Sequence, residues 1–261
     1  MKKTLTALFT PFYSASSKVY LIAATFWVIV MTAVFYNAPA LLPTPTAIFN
    51  RLVEYMSDTS FYFDIFASLE LTIKSMLISI VFASIFAYLS TITFFKPIIS
   101  VIVKLRFMSL LGFLFVFMSI LHDANRVKES LLIFSTVPFF TLSLTSTITR
   151  IQQKEYDLWT TLKYNKWEQL FEVIIRGKLD YVLEAIGVNF AMAWIMMTLA
   201  ESKSMADGGL GVLLFKADKY NQLDRVFALQ IIIFTFGIIF DYMIKKLRYQ
   251  LFPYTALAEK K

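Results

Sequence analysis

The chain has 261 residues, of which 58% are hydrophobic, 17% aromatic and only 16% charged. This composition does not suit a surface that faces water, and it predicts a membrane protein. The chain has no cysteine and a single histidine, which excludes disulfides, thiol chemistry, iron–sulfur clusters and zinc sites built from cysteine and histidine. The formal charge of +7 must be judged by where the basic residues lie relative to the apolar segments.

Six apolar stretches predict transmembrane helices, because about 20 apolar residues cross the hydrocarbon layer and partner helices can cover shorter ones. They are residues 19–36, 75–95, 107–121, 131–148, 185–200 and 226–244. Before the third stretch, an apolar run at 98–103 ends at Lys104 and Arg106, which predicts an amphipathic turn leading into a buried span. The fold class is therefore predicted to be all-α, with residues 1–261 forming a single transmembrane domain.

The basic residues predict the orientation of the chain. The first stretch follows Lys2, Lys3 and Lys18, and a transmembrane helix is favoured there over a cleaved signal peptide because its apolar core is long and Pro39 interrupts the small-residue cleavage candidate. With both termini in the cytoplasm, most of the 25 basic residues fall on one side of six crossings. The positive-inside rule thus predicts an N-in, C-in topology, which explains the net charge without nucleic acid.

The reactive side chains favour transport over catalysis. No glycine begins a G-x-x-x-x-G-K-[ST] phosphate loop, so the chain is predicted to bind neither ATP nor another cofactor, and no metal. His122 stands beside Asp123, and a solvated loop residue is favoured there over a proton relay or a serine-activating pair. Glu70 and Lys74 are four residues apart, which predicts an ion pair at the mouth of the second span.

Polar residues within or at the ends of the spans are candidates for a translocation pathway. Such side chains more often bond between helices than contact a substrate, so both roles stay open for each of them. Asn189 is the strongest candidate because it falls near the middle of the fifth stretch. The candidate pathway residues are Ser109, Ser119, Asn189, Trp194 and Glu201.

The loop at residues 150–180 has a helical pattern of its own. Trp159 and Leu162, and then Trp167 and Leu170, recur at steps of three residues, with charged and amide side chains between them. The pattern predicts two short amphipathic helices joined near residues 164–165. Two interpretations remain open at this point: helices that lie in the lipid headgroup layer, or a docking element for a cytoplasmic partner.

The order of motifs resembles the membrane subunit of ATP-binding-cassette importers of the nitrate/sulfonate/taurine type. In the loop, residues 157–159, Lys163 and residues 175–176 stand where that family has Glu-Ala-Ala, a glycine and Leu-Pro. The remaining segments that follow the family in order are Leu41-Leu42-Pro43-Thr44-Pro45, Ser68-Leu69, Trp167, Trp194, Glu201, Gly209-Leu210-Gly211, Asp224-Arg225-Val226-Phe227-Ala228, Gly237, Asp241 and Phe252-Pro253-Tyr254.

This resemblance implies a type I importer fold in a bacterial cytoplasmic (inner) membrane, with no bond chemistry in this chain. It implies a second permease, either a copy or a relative, an ATPase dimer that uses ATP and magnesium, a periplasmic or lipid-anchored solute-binding protein, surrounding membrane lipids and no nucleic acid. The solute would be small and polar or anionic, such as a sulfonate, taurine, nitrate or a thiamine precursor. The residues that would couple the chain to the ATPase are Tyr156, Asp157, Leu158, Trp159, Thr160, Leu162, Lys163 and Trp167.

The departures from the family pattern leave several possibilities. Lys163 stands in place of a glycine, and because lysine disfavours positive φ, the turn is expected to move to Asn165. Arg176 and Asp180 replace prolines. Three explanations fit these departures: the chain forms a diverged homodimer, it is one half of a heterodimer whose partner keeps the standard loop, or its ATPase has diverged together with it. The competing functions are a secondary transporter, a membrane enzyme and a structural subunit of another complex.

Overall fold

A computed structural model describes residues 17–36, 42–205 and 208–253, and these ranges are helical without any β-strand. Lys2, Lys3, Leu41 and Tyr254, which entered the sequence predictions, lie outside these ranges. The helices are α1 (Ser17–Tyr36), α2 (Pro45–Ser57), α3 (Thr59–Leu89), α4 (Lys96–Lys104), α5 (Leu110–Ile120), α6 (Ala124–Thr149), α7 (Gln153–Thr161), α8 (Lys166–Gln169), α9 (Leu179–Ser204), α10 (Leu210–Lys219) and α11 (Leu223–Leu251). A 3-10 turn (Leu105–Phe107) follows α4, and a π-helical segment (Leu170–Arg176) continues α8.

Four of the described helices, α3, α6, α9 and α11, are long and apolar enough to cross a membrane. A fifth candidate consists of α4 with its 3-10 turn and α5, if this pair, bent by 105°, counts as one span. Helix α1 carries a shorter apolar stretch, Val19–Val34. The predicted all-helical membrane architecture is confirmed, with four or five candidate crossings among the described residues.

The long helices extend beyond the predicted apolar stretches. Helix α3 begins at Thr59 rather than at residue 75, because Asp58 caps it by accepting a hydrogen bond from the N–H of Ser60 (2.9 Å). It ends at Leu89, and residues 90–95, half of which are apolar, form successive turns. Apolar content alone therefore misplaces both ends of this helix.

The third predicted span is shorter than expected and is not buried. Its helix, α5, begins at Leu110, and Leu114 is its only buried residue. One face of α5 packs on α6, where the ring of Phe113 lies 4.1 Å from that of Phe134. The amphipathic segment before it is confirmed as α4. The prediction of a buried span is wrong for the single chain, because most side chains of α5 are exposed in the described part of the structure.

Side-chain contacts fix the relative directions of the helices. Ser79 contacts Thr136 (2.7 Å between hydroxyl oxygens) and Lys74 contacts Glu129 (3.0 Å), so α3 and α6 run parallel. Helix α9 runs antiparallel to both, because Glu201 near its end meets Ser68 near the start of α3 (2.8 Å). Fully buried alanines, among them Ala83, Ala87 and Ala193, allow close approach of these helices.

Helix α11 returns antiparallel to α9 and completes the bundle. The indole N–H of Trp194 donates to the carbonyl oxygen of Ile233 (3.0 Å), and Arg248 forms an ion pair with Glu184 (2.9 Å). The bundle thus has two distinct ends. We call "loop end" the one that contains residues 90–107, 150–178 and 245–253, and "opposite end" the one that contains residues 58–70, 121–129 and 200–225.

Candidate functional site

The loop between α6 and α9 forms two short helices joined by a tight turn, as the sequence predicts. Helix α7 ends at Thr161, and the turn closes with two backbone hydrogen bonds: Lys163 N–H donates to Thr160 O (3.0 Å) and Tyr164 N–H donates to Trp159 O (3.1 Å). Helix α8 then begins at Lys166. The chain therefore reverses within four residues.

The turn is centred on Lys163, whose φ of 61° lies in the left-handed region. The expectation that the turn would move to Asn165 is wrong, since Asn165 has an extended backbone with φ −75° and ψ 171°. A side chain in the left-handed conformation costs roughly 1 kcal/mol relative to glycine. The turn is therefore centred on Lys163, the position of the family's glycine, despite this cost.

Asn165 fixes the start of α8 through a reciprocal pair of caps. Its side-chain oxygen accepts the N–H groups of Trp167 and Glu168, both at 2.9 Å, and the carboxylate of Glu168 accepts the N–H of Asn165 (2.6 Å). This capping box satisfies backbone donors that a short helix would otherwise leave unpaired. The capping box also explains why the turn is centred on Lys163, because Asn165 needs an extended backbone to cap α8.

A buried amide ties the two short helices together. The Gln169 side chain is buried, and its Nε2 donates to the Thr160 hydroxyl (3.2 Å) and to the carbonyl of Tyr164 (3.0 Å). The rings of Trp159 and Tyr164 pack edge to face at 4.9 Å. Helices α7 and α8 therefore form one unit with few ways to move internally.

Several large apolar side chains of this loop are exposed. Trp167 is 68% exposed, and Leu162 and Phe171 are more than half exposed. Tyr156 and Trp159 are half-buried, Asp157 and Thr160 are exposed, and the side chain of Leu158 lies outside the described part of the structure. The predicted coupling residues therefore separate into an inner set that holds the loop and an outer set that is available to a partner.

The loop also contacts the bundle directly. Trp167, Tyr156 and Leu170 line a groove of about 420 Å³ together with Thr91 and Ile92, which follow the end of α3. The π-helical segment then leads through residues 177–178 into α9. A displacement of the loop would therefore be passed to α3 and α9.

At the opposite end, a buried carboxylate organises the connection between α9 and α10. Glu201 is 1% exposed and accepts hydrogen bonds from the Ser68 hydroxyl (2.8 Å) and from Gly211 N–H (2.8 Å). Ser68 in turn accepts Leu210 N–H (2.8 Å), and Asp64 accepts Gly209 N–H (2.7 Å). The first N–H groups of α10 are thus satisfied by side chains of α3 and α9.

The glycines of this connection are required by space and by backbone conformation. Gly209 has φ 113°, and a Cβ there would lie 2.5 Å from the carboxyl carbon of Glu201. A Cβ on Gly211 would overlap the carbonyl oxygen of Thr198. Residues 208 and 209 lie between α9 and α10, Gly211 lies in the first turn of α10, and the glycines at 209 and 211 allow α10 to approach α9 closely.

Beside Glu201 lies a cavity of about 290 Å³ lined mainly by charged and polar side chains. Lys128 in this lining is only 5% exposed. Lys74 pairs with Glu129 of α6, so the predicted ion pair between Glu70 and Lys74 is wrong. Lys74 pairs with Glu129 instead of Glu70 because α6 places the Glu129 carboxylate beside it. The lining residues are Ala67, Glu70, Leu71, Lys74, Asn125, Lys128, Glu129 and Glu201.

The five candidate pathway residues do not converge on one site. Asn189 bonds to Ser143 (2.9 Å) and to the carbonyl of Ala185 (2.8 Å), and Trp194 bonds to α11, so both make helix-packing contacts. Glu201 alone reaches the polar cavity. Ser109 precedes α5 without capping it, and the exposed Ser119 bonds to the backbone of its own helix.

Sequence reasoning missed three polar residues that the structure makes important: Asp64, Lys128 and Gln169. Lys128 stands three residues before a predicted apolar stretch, which was an available signal, whereas Asp64 stands eleven residues before one. Gln169 gave no signal, because its role depends on the turn that brings it back to Thr160. His122 is exposed between α5 and α6, in agreement with a loop residue.

Arg51 links the outer helix α2 to the start of α11. It forms ion pairs with Asp224 (2.6 Å) and Glu54 (2.5 Å), and Arg225 reaches Glu54 from the other side (3.2 Å). Hydrogen bonds to Asp224 and then to Glu54 raise the pKa of Arg51 further above its ordinary value. Within the described residues, no group of three or more Asp, Glu or His side chains could hold a metal ion.

Comparison with protein families gives a match over most of the chain. The profile of the family described as "binding-protein-dependent transport system inner membrane component" matches residues 75–248, which is about two thirds of the chain. The matched range contains the whole loop, all of α4 to α10, the second half of α3 and most of α11. No curated protein matches the chain significantly.

Proposed function

The chain belongs to the family of inner-membrane components of binding-protein-dependent transport systems, and from this premise we propose that two such subunits form the translocation pathway of an ATP-driven importer. Membership makes the chain a multi-pass permease subunit whose system includes a solute-binding protein and an ATPase. The second subunit is either a copy of this chain or a related permease, and the ATPase partner acts as a dimer.

The loop of α7 and α8 is the proposed docking element for the ATPase. The observation that carries this proposal is the combination of a rigid two-helix unit with the exposed apolar side chains of Trp167, Leu162 and Phe171. Rigid aromatic anchors of this kind supply most of the binding energy in small interfaces. A headgroup-layer position would not require the buried Gln169 bonds that hold the two helices at a fixed angle.

Movement of this loop would drive the change of access. ATP-driven closure of the ATPase pair would displace α7 and α8 as one body, and the groove at Thr91 and Ile92 would pass the displacement to α3. The π-helical segment before α9 has looser backbone bonding than an α-helix and provides a place for bending. The two access states would then be alternative packings of the same bundle.

We place the loop end in the cytoplasm, with six crossings, N-in and C-in, in a bacterial inner membrane. The basic residues Lys96, Lys104, Arg106, Arg150 and Lys245 all belong to segments at this end, as the positive-inside rule requires. The four long helices, α1 and the bent pair of α4 and α5 together make six crossings. The groove between α1, α2 and α11, about 510 Å³ and apolar, indicates that α1 runs beside the bundle.

The proposed solute is small and polar or anionic, such as a sulfonate, taurine, nitrate or a thiamine precursor, on the strength of the family resemblance. The cavity beside Glu201 adds one refinement. Its lining combines Lys74 and Lys128 with three glutamates, which suits a solute that carries both charges better than a purely anionic one. This chain would contribute no ATP site, and ATP and magnesium would bind the partner.

The test is co-purification from membranes with and without Trp167→Glu. We expect an ATPase subunit to accompany the wild-type chain and its recovery to fall at least about tenfold in the variant. The reason is that a charged side chain would replace a tryptophan that becomes buried in the proposed interface. Tyr220→Glu is the matched control, since Tyr220 is equally exposed (68%) but lies at the opposite end. Undiminished recovery with Trp167→Glu and Leu162→Glu would support helices in the headgroup layer instead.

A further inference from the structure

A second cavity lies at the loop end, distinct from the groove that Trp167 lines. It measures about 580 Å³ and lies between α4, the 3-10 turn after it, and the last turns of α6. Its walls combine three basic side chains with an apolar floor. The basic residues are Lys96, Lys104 and Arg106, and the main apolar residues are Ile99, Val103 and Leu142.

The charge of this cavity is uncompensated. The sequence has no aspartate or glutamate between Glu70 and Asp123, nor between Glu129 and Glu155. In the described part of the chain, no ion pair involves Lys96, Lys104 or Arg106. Three cations that converge without a carboxylate are complementary to an anion.

One hydroxyl in the wall also has no partner. Thr145 Oγ1 is buried and forms no hydrogen bond, whereas its neighbours Ser146 and Thr149 donate to backbone carbonyls three residues back (2.8 and 2.9 Å). A buried donor without an acceptor costs free energy, so a ligand that supplies an oxygen here would be favoured. This observation is independent of the charge.

The surroundings have the character of a membrane interface. Helix α4 is amphipathic and turns away from α5 by 105°. The side chains of Phe94 and Phe107 on either side of it are about three-quarters exposed, and the guanidinium of Arg106 lies 4.7 Å from the Phe107 ring centre. Exposed aromatic rings beside basic groups are typical of the depth at which lipid headgroups lie.

We propose that this cavity binds the phosphate headgroup of an anionic phospholipid. Lys104, Arg106 and Lys96 hold the phosphate and Thr145 donates to one of its oxygens, while the acyl chains lie along the apolar floor. A lipid suits the site better than free phosphate, because most of the lining is apolar and would gain nothing from a small hydrophilic ion. The site is independent of the proposed transport function.

The experiment measures binding of phosphatidylglycerol to the purified, full-length chain together with its co-purified partners, by native mass spectrometry in detergent. Lys104→Gln with Arg106→Gln is expected to lower the affinity at least about tenfold, since each basic group near a headgroup contributes about a factor of five. The matched control is Lys245→Gln with Lys246→Gln, which removes the same charge from the same end. An equal loss in the control would overturn the proposal in favour of general surface attraction.

A second variant keeps the charge and the volume. Thr145→Val removes only the unpaired hydroxyl, and we expect about fivefold weaker binding of phosphatidylglycerol, with the elution profile and thermal stability of the chain retained. Phosphatidylcholine is expected to bind much more weakly, and inorganic phosphate to compete only at millimolar concentrations. Equal binding of phosphatidylcholine, tight binding of phosphate, or unchanged affinity in Thr145→Val would each overturn the lipid site.

Discussion

The two ends of the bundle are held together in different ways. At the loop end, the contacts that shape α7 and α8 join residues at most nine positions apart, such as Gln169 and Thr160. At the opposite end, Glu201 and Ser68 are separated by 133 positions, and Gly209 and Asp64 by 145. The loop can therefore hold its shape by itself, whereas the opposite end exists only when three long helices have already met.

Burial follows the same division. Trp167 at the loop end is 68% exposed and Glu201 at the opposite end is 1% exposed. Substitutions in the loop should affect partner binding and leave the bundle folded. Substitutions around Glu201 should lower the stability of the bundle itself, and the largest expected effects lie there.

Glu201→Ala should be the most damaging of these changes. It leaves the Ser68 hydroxyl and Gly211 N–H without their acceptor in a buried site and opens a void, which costs about 3–5 kcal/mol. Glu70→Ala is the control, because Glu70 lines the same cavity but is exposed. Thermal unfolding of the purified chain should show a midpoint at least about 10 °C lower for Glu201→Ala only. Equal midpoints would contradict the capping role.

Gly211→Ala should have the next largest effect. Its Cβ would overlap the backbone carbonyl of Thr198, which cannot rotate away, so α10 must shift from α9 at a cost of about 3 kcal/mol. Gly112→Ala is the matched control, since a Cβ there meets nothing within 4 Å and alanine favours the helix. The same unfolding measurement should show a loss for Gly211→Ala and no loss for Gly112→Ala. A tolerated Gly211→Ala would mean that the close contact is not maintained in solution.

The division between local and long-range contacts also explains what the sequence could predict. The apolar runs located the four long helices, and the spacing of Trp159, Leu162, Trp167 and Leu170 located the two loop helices, because both patterns are local. The partner of Lys74 could not be predicted, since it depends on how α3 and α6 are aligned. The same holds for Glu201, whose donors come from two other helices.

The position of the loop turn was missed for a further reason. It depends on small local free energies that compete with each other. At Lys163 the intrinsic preference of lysine opposes positive φ, and the capping box of Asn165 outweighs it.

Lys163→Gly tests this competition and should have the smallest effect of the three. Glycine relieves the left-handed strain of roughly 1 kcal/mol but adds entropy to the unfolded loop, so we expect about twofold slower hydrogen exchange at the Tyr164 amide, which donates to Trp159. Lys166→Gly is the control, because the same residue change at the first turn of α8 should speed exchange up to about fivefold. Faster exchange in Lys163→Gly would show that Lys163 is unstrained, and the proposed docking element would then rest on a more adaptable turn than its geometry indicates.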